Sequence, residues 1–374
     1  MWLIREFELY LIANLGQIVK KMKFKIEIKR TLWLFLCVGL SCFHSFAKKE
    51  DGSFHFLNIP YSARVAGVGG ENISIVDDDV NRFYANPSLL STKVHTGLSI
   101  NYLNYFESAN SGSISFAYAL DSLNVFGANF LFMSYGAFDG YDEFGTPTGT
   151  FSAGDFALNL AYSRYLGAGF RVGVALKPAY SFIEEYNSLA LGVDVGATYY
   201  NENIDLAVAL TFRNFGFRFF GYYDGQDREA LPWNLQVGIS KRLKHAPFRF
   251  SLTFDRLNDW NLDYYRPPIS SPLLNDVEEE GKNNNEIKGG DMFFRHLVFG
   301  VDLLFSKHFY LSVGYNHRRN REYTLSNSRA PRGFTFGAGF KVYKFSLDAA
   351  YAIYGAKGST FTLSLATALN SFKK

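Results

Sequence analysis

The sequence predicts an all-β protein: a fourteen-stranded antiparallel transmembrane β-barrel with a short N-terminal plug segment. Across residues 295–369, large apolar residues fall on every second position in five separate runs. A period of two is the period of a β-strand. The positions between the large residues are mostly glycine, alanine, serine or aspartate. This pattern is typical of a barrel whose apolar face contacts lipid and whose face of small and polar residues lines a lumen.

The first of these runs shows the pattern clearly, because Phe299, Val301 and Leu303 alternate with Gly300 and Asp302. The other four runs cover residues 311–315, 334–340, 345–353 and 361–365. In a soluble sandwich the large residues would face a protein core and compete there for limited volume. The repetition of the aromatic face from strand to strand therefore favours a membrane barrel.

The composition agrees with strands rather than with membrane-spanning helices. The chain has 374 residues, of which 18% are aromatic and 20% are charged. After residue 47, no segment has the 18 or more uninterrupted apolar residues of a spanning helix. Aromatic residues are common in strands. A membrane barrel also has a low mean hydropathy, because each apolar residue that faces lipid alternates with a polar or small residue that faces the lumen.

Residues 1–47 are predicted to be an upstream extension followed by a signal peptide. A basic region precedes an apolar run over 32–46, and Ser45-Phe46-Ala47 is a small-x-small cleavage site. Because Met22 is a natural start, we expect residues 1–21 to come from a misassigned start codon. The alternative is an N-terminal helical anchor, although the apolar run is short for a stable span.

Both cysteines, Cys37 and Cys42, lie in this leader, so the predicted mature chain has no disulfide and no zinc–thiolate site. Cys42 could instead carry a lipid anchor, but Gly39-Leu40-Ser41 lacks the usual leucine three positions before it. Residues 1–47 hold seven basic and three acidic residues, which leaves 31 basic and 32 acidic residues in the rest. The formal charge of +3 therefore gives no argument for nucleic-acid binding.

Residues 48–94 are predicted to form a compact plug or periplasmic segment ahead of the barrel. Glycines permit tight backbone here, while Asp77-Asp78-Asp79 and Asn86-Pro87 mark turns. The aspartate triplet could bind a cation. A solvated turn, or a partner for arginines inside the lumen, is the interpretation we favour.

Residues 95–374 are predicted to be the barrel. The predicted strands are 95–106, 111–120, 123–138, 150–165, 170–183, 188–200, 203–217, 231–243, 247–264, 292–306, 308–319, 330–342, 344–354 and 359–370. Joints after even-numbered strands are short, whereas 139–149, 218–230, 265–291 and 320–329 are longer. Barrels of the outer membrane have short periplasmic turns and long outer loops. The outer joints 107–110 and 355–358 are short, so the alternation is imperfect.

Aromatic residues cluster near the predicted strand ends, as at Tyr199-Tyr200 and Trp260. Tyrosine and tryptophan favour the headgroup zone, so we interpret these clusters as girdles. The alternative is that aromatics are simply common in strands. The loop 265–291 contains Glu278-Glu279-Glu280, but it lacks the alternating oxygen ligands and turn glycine of a calcium loop, which favours a solvated loop.

The sequence predicts no enzyme, no cofactor and no metal site. It contains no G-x-S-x-G, H-E-x-x-H or phosphate-binding P-loop motif. The only hydrolase-like arrangement pairs His317 with Ser326 or Ser328, and the polarity of a hairpin explains those residues equally well.

Three stretches resemble the PorQ family of the Bacteroidetes type IX secretion system. One is Phe56-Leu57-Asn58-Ile59-Pro60 with Ser62-Ala63-Arg64 and Gly69-Gly70. The second is Asp77-Asp78-Asp79-Val80-Asn81 followed by Asn86-Pro87-Ser88-Leu89-Leu90. The third is His245-Ala246-Pro247-Phe248-Arg249-Phe250-Ser251-Leu252, and Asp142-Glu143-Phe144-Gly145 and Trp260-Asn261-Leu262 are also similar. The resemblance runs from about residue 54 to the end of the chain.

This resemblance implies a FadL/PorV-like barrel in the outer membrane of a Gram-negative bacterium. It implies a role in the type IX attachment complex, in which the barrel anchors a PorZ-like surface protein beside PorU and PorV. That complex supports processing of secreted cargo and its attachment to lipopolysaccharide. The alternative is a FadL-like transporter of hydrophobic small molecules, in which the plug is a gate and the strand around Pro178 is the candidate kink.

The outer loops are the surface available for a partner. Aromatic anchors usually dominate such interfaces. The candidate partner-binding residues are therefore Tyr141, Phe144, Tyr222, Tyr223 and Tyr323.

Overall fold

The computed structural model describes residues 54–106, 108–223, 229–262, 289–322, 332–354 and 358–372. The predicted leader therefore lies outside the described residues. Fourteen antiparallel strands close into one barrel, and the first strand pairs with both the second and the last. This confirms the predicted fold class. Within the described ranges, no helix is both long and apolar enough to cross a membrane.

The strands follow one another around the barrel in chain order. They are β1 Gly97–Asn104, β2 Asn110–Ala119, β3 Asn124–Tyr141, β4 Pro147–Gly167, β5 Phe170–Ile183, β6 Tyr186–Asn201, β7 Leu206–Phe220, β8 Asn234–Arg242, β9 Phe248–Phe254, β10 Leu297–Leu304, β11 Phe309–Asn316, β12 Phe334–Val342, β13 Phe345–Ile353 and β14 Ser359–Ala368. Two short helices lie on the outer side, Gly289–Arg295 and His317–Glu322.

The alternation of the sequence becomes the two faces of the wall. On β12, Phe336 is 46% exposed on the outside, whereas its neighbour Thr335 is 1% exposed on the inside. The inward positions of the other strands carry mostly small or polar side chains, such as Ser99, Ser312 and Thr362. An apolar outer band and a polar interior are what a barrel in a lipid bilayer requires.

Three predicted strand boundaries are wrong on the outer side. The predicted strand 247–264 ends at Phe254, because Arg256 has a φ of 55°, which extended backbone does not adopt. Residues predicted to begin the next strand at 292 belong to the helix Gly289–Arg295. The strand predicted to reach 319 ends at Asn316, whose side-chain oxygen accepts the Arg319 N–H and so caps the helix His317–Glu322.

The predicted loop 139–149 is also wrong, because most of it is strand. β3 runs to Tyr141 and β4 begins at Pro147, so only residues 142–146 form the turn. Strands β3 to β7 have 14 to 21 residues, and the other nine have 7 to 10. One side of the barrel wall is therefore much taller than the other, and the β3–β4 hairpin is its tallest part.

Residues 54–96, which we call the lumen segment, lie inside the barrel. The segment contains the short helix Ala63–Ala66 and the 3-10 turns His55–Asn58, Val80–Tyr84, Pro87–Leu89 and Thr92–Val94. Its hydrogen bonds reach inward-facing side chains on opposite parts of the wall. The amide of Ala63 donates to Ser364 Oγ on β14 at 2.9 Å, and Asn86 Nδ2 donates to Thr198 Oγ1 on β6 at 3.1 Å.

Glycines in the wall allow the backbone of the lumen segment to approach closely. A Cβ atom at Gly314 on β11 would clash with the amide nitrogen of Gly69. A Cβ atom at Gly173 on β5 would meet the backbone of Pro87 in the same way. Side chains larger than hydrogen at these positions would force the segment away from the wall.

Candidate functional site

Buried ion pairs join the lumen segment to the periplasmic half of the wall. Arg249 on β9 lies directly across from Asp302 on β10. Nη2 of Arg249 lies 2.6 Å from Asp302 Oδ2, and Nε donates to the same oxygen at 2.8 Å. The Asp302 side chain is fully buried. A charge buried in this way depends on its partner for stability.

Asp77 of the lumen segment extends this network. Its Oδ2 atom lies 3.0 Å from Arg82, 3.3 Å from Arg64 and 3.4 Å from Arg249. Burial raises the pKa of Asp77, but the three guanidinium groups outweigh burial and hold the pKa well below its usual value. For Asp77, the favoured interpretation as a partner of lumenal arginine is confirmed.

The other two aspartates of the triplet have different surroundings. Asp78 is exposed and pairs with Lys341 at 3.4 Å. Asp79 accepts the Asn81 N–H at 3.0 Å and caps the 3-10 turn that follows. Throughout the described ranges, no group of three His, Cys, Asp or Glu side chains is placed to hold a metal.

A second buried pair holds the wall at β5, β6 and β7. Lys177 Nζ lies 2.5 Å from Asp194 Oδ2, and both side chains are fully buried. The same ammonium lies 4.4 Å from the ring centroid of Tyr84 in the lumen segment. Asp194 also accepts the backbone N–H of Asn214 at 2.7 Å, at a point where β7 contains an extra residue relative to β6. The pair thus stabilises a β-bulge and contacts the segment.

The wall is irregular at this bulge as well as beside Pro178. Pro178 faces Leu191 on β6 without a change of register. On its other side, the ladder to β4 omits two pairs and resumes in the same register. The β6–β7 ladder, in contrast, shifts register twice. The strand around Pro178, the candidate kink, is therefore one of several irregular places in the wall.

Beside Tyr61 and Tyr84, little space remains between the lumen segment and the wall. A cavity of about 20 Å³ lies beside Tyr61 and Tyr84, and its lining includes the polar side chains of Asn81, Asn101 and Asn129. A cavity of this size holds about one water molecule. It is too small and too polar for a hydrophobic solute in this state.

On the outer face, Tyr141 and Phe144 lie together at the tip of the β3–β4 hairpin. Their side chains are 62% and 92% exposed. The Asp142 carboxylate accepts the backbone N–H groups of Thr146 at 2.8 Å and Phe144 at 2.9 Å. These bonds lower the pKa of Asp142, the bond from Thr146 most, and they order the turn that presents Phe144 to solvent.

The other candidate aromatics lie apart from this tip. Tyr223 is exposed, and its ring centroid lies 4.7 Å from that of Tyr186 at the start of β6. The Tyr222 hydroxyl shares a 2.6 Å hydrogen bond with Ser181 and is partly buried. Tyr323 lies outside the described residues. The partner-binding role of all five aromatics stays a prediction.

His317 has an acidic partner that sequence reasoning missed. Its Nε2 atom lies 2.9 Å from Asp291 Oδ1, and Asp291 also pairs with Arg295 at 3.1 Å and Arg321 at 2.8 Å. This cluster joins the two outer helices. Ser326 and Ser328 lie outside the described residues. Asp291 lies in the segment 265–291, which was predicted as a loop. The alternation that identifies strands therefore could not place it beside His317.

Together, the closed wall with its apolar outer band and the filled polar lumen define an outer-membrane β-barrel. No protein-family model matches the sequence, and neither does any curated protein sequence. Among solved structures, the chain is similar to the Pseudomonas putida toluene transporter TodX, with a TM-score of 0.52 and 11% identity over 84% of this chain and 99% of TodX.

Further solved structures extend the same likeness. The Ralstonia pickettii toluene transporter TbuX aligns with a TM-score of 0.49 and 12% identity, over 83% of this chain and 98% of TbuX. A Pseudomonas aeruginosa FadL homologue aligns with a TM-score of 0.47 and 10% identity, over 82% of this chain and 98% of that one. The similar structures are thus outer-membrane barrels of the FadL family, and at these identities the likeness shows the fold alone.

Proposed function

We propose that this barrel is a closed outer-membrane anchor for a surface protein, in the attachment complex that the resemblance to the PorQ family implies. The observation that carries the proposal is the filling of the lumen. The lumen segment is held to the wall by Asp77, Arg249 and Asp302, and the cavity beside Tyr61 and Tyr84 admits about one water molecule. A barrel filled in this way offers its outer face, rather than its interior, as the working surface.

The stretches that carry the resemblance support this proposal through their positions. Asp77 lies in the second stretch and Arg249 in the third, and the two side chains meet in the lumen. Asn58, from the first stretch, accepts a hydrogen bond from Asn214 on β7 at 2.8 Å. A family defined by these residues would share the fixed segment. The partners, namely a PorZ-like surface protein, PorU, PorV and lipopolysaccharide, belong to the proposal.

The second candidate is a transporter of hydrophobic small molecules, and the likeness to solved structures favours it over the anchor. TodX is a toluene transporter of the same fold. The register shifts between β6 and β7 also provide an irregular place in the wall. This candidate requires the lumen segment to move, because the cavity beside Tyr61 and Tyr84 does not admit a hydrocarbon. A shared fold alone does not establish a shared substrate.

Deletion of the gene separates the two candidates. For an anchor, we expect release of the surface protein from the cells and unchanged growth on hydrocarbons or fatty acids. For a transporter, we expect impaired growth on such a substrate and unchanged retention of surface proteins. Fractionation of the culture with growth assays in the same strains measures both. Retained surface proteins together with impaired growth would refute the anchor.

The hairpin tip supplies a direct test of the anchor. We expect the double variant Tyr141→Ser and Phe144→Ser to bind the surface protein about 30-fold more weakly, because two exposed aromatic anchors at an interface contribute about 2 kcal/mol. Co-purification from detergent-solubilised outer membrane, followed by titration, measures the loss. Tyr343→Ser is the matched control, because Tyr343 is 81% exposed at a short turn on the opposite end of the barrel. Equal losses in both variants would argue against docking at the tip.

A further inference from the structure

A sizeable cavity opens at the periplasmic end of the barrel. It has a volume of about 590 Å³ and lies between residues 88–93 of the lumen segment and the turns that follow β4 and β6. Binding sites for small ligands usually have volumes of 300–1,000 Å³. None of the residues discussed so far for the outer face contributes to it, so it is a separate site.

Two polar groups in its lining have no hydrogen-bond partner within the described part of the chain. Nη1 of Arg171, at the start of β5, is buried and unpaired. Oγ of Ser91 is also unpaired, and the Ser91 side chain is 8% exposed. A buried polar atom left without a partner is costly, so each is expected to bind water or a ligand. Both groups can donate a hydrogen bond to an anion.

Aromatic rings lie beside the cations of this cavity. The Arg171 guanidinium carbon lies 5.4 Å from the ring centroid of Tyr165, and Lys93 Nζ lies 5.7 Å from that of Tyr200. Rings at these distances restrain the cations without neutralising them. The cations therefore keep donors for an incoming group.

The charge of the lining selects among anions. Lys93 and Arg171 provide two positive charges, and Glu202 provides one negative charge. A doubly charged phosphate would meet repulsion from Glu202, whereas a single carboxylate fits one guanidinium by paired hydrogen bonds. The remaining lining combines hydroxyl groups and tyrosines, which suit the amides and side chains of a peptide. Glu202 can accept from peptide N–H groups.

We propose that this cavity binds a peptide segment of a periplasmic protein through a carboxylate. The carboxylate pairs with Arg171 and accepts from Ser91, and the neighbouring peptide packs on Tyr165 and Tyr200. The short turns place the site on the periplasmic side of an outer-membrane barrel. The site thus gives the barrel a periplasmic contact that is independent of both functions proposed above.

The test uses the full chain in detergent and a fluorescently labelled, amidated tetrapeptide with one carboxylate, Ala-Ala-Asp-Ala, with its Ala-Ala-Asn-Ala counterpart as the neutral probe. We expect the acidic peptide to bind and the neutral one to bind about tenfold more weakly or worse. Arg171→Met should weaken the acidic peptide by a similar factor. Arg164→Met is the matched control, because Arg164 lies next to Tyr165 on the opposite, exposed face of β4 and should leave binding unchanged.

Ser91→Ala provides a second variant that removes one donor and leaves the strands intact. We expect it to weaken the acidic peptide severalfold. Equal binding of the two peptides, equal effects of Arg171→Met and Arg164→Met, or no binding at all would overturn the proposal. Displacement of the peptide by inorganic phosphate at comparable concentration would also overturn it, because the site would then select a phosphate.

Discussion

Arg249→Met is expected to lower the free energy of unfolding by about 3 kcal/mol. The substitution leaves the fully buried carboxylate of Asp302 without its 2.6 Å partner, and Arg64 remains at the longer distance of 3.5 Å. Removing one member of a buried ion pair strands the other charge in a medium that solvates it poorly. The same change also removes one of the three guanidinium groups around Asp77.

Urea unfolding of the barrel in lipid vesicles, followed by tryptophan fluorescence and by gel mobility, measures this loss. Arg242→Met is the matched control, because Arg242 lies across from Arg249 on β8 but is exposed at the strand end. The double variant Arg249→Met and Asp302→Leu should recover most of the stability, since both buried charges are then gone. If the double variant were as unstable as the single one, the stranded carboxylate would not be the cause.

The strands of the wall could be predicted from sequence, because the pattern that identifies a strand lies within that strand. Each strand alternates between lipid and lumen, so a period of two is written into the chain wherever the wall crosses the membrane. β5 was predicted at 170–183 and is observed at Phe170–Ile183. Beyond residue 138 the period of two is lost, because the β3–β4 hairpin carries mostly small and polar residues there, and so the ends of both strands were predicted as loop.

The network in the lumen could not be predicted because it depends on register. The alternation places both Arg249 and Asp302 on the inner face, but only the pairing of β9 with β10 shows that they face each other. The contact between Lys177 and Asp194 depends on neighbouring strands in the same way, and it lies beside a bulge in β7. The bulge shifts the phase of the alternation between Phe212 and Phe215, but that shift does not show which side chains on β5 and β6 lie beside it.

The helix ends were missed for a different reason. Polar residues at the end of β11 continue the strand pattern, and the structure turns into a helix because the Asn316 side chain satisfies a backbone N–H. Capping of this kind depends on one side chain and competes with strand propensity at the boundary. The resemblance to a family located these boundaries no better, because its three main stretches lie in the lumen segment and around the start of β9.

Gly314→Leu is expected to convert a silent barrel into a conducting one. The new side chain would occupy the place of the Gly69 amide and of the neighbouring backbone of Val68. Backbone cannot yield as a flexible side chain does, so the lumen segment must leave this part of the wall. What remains is a fourteen-stranded cylinder whose inner face is polar, and such a lumen fills with water.

Current recordings in planar lipid bilayers measure this effect, with the unsubstituted chain showing no steady openings and Gly314→Leu showing stepwise ones. Val313→Leu is the control, because Val313 lies on the same strand but faces outward and is exposed there. A folded Gly314→Leu barrel that stays silent would mean that the segment can rearrange and still fill the lumen. The recording also bears on function: an anchor needs the segment only to stay in place, whereas a transporter must move it reversibly, and its substrate should then raise the current of the unsubstituted chain.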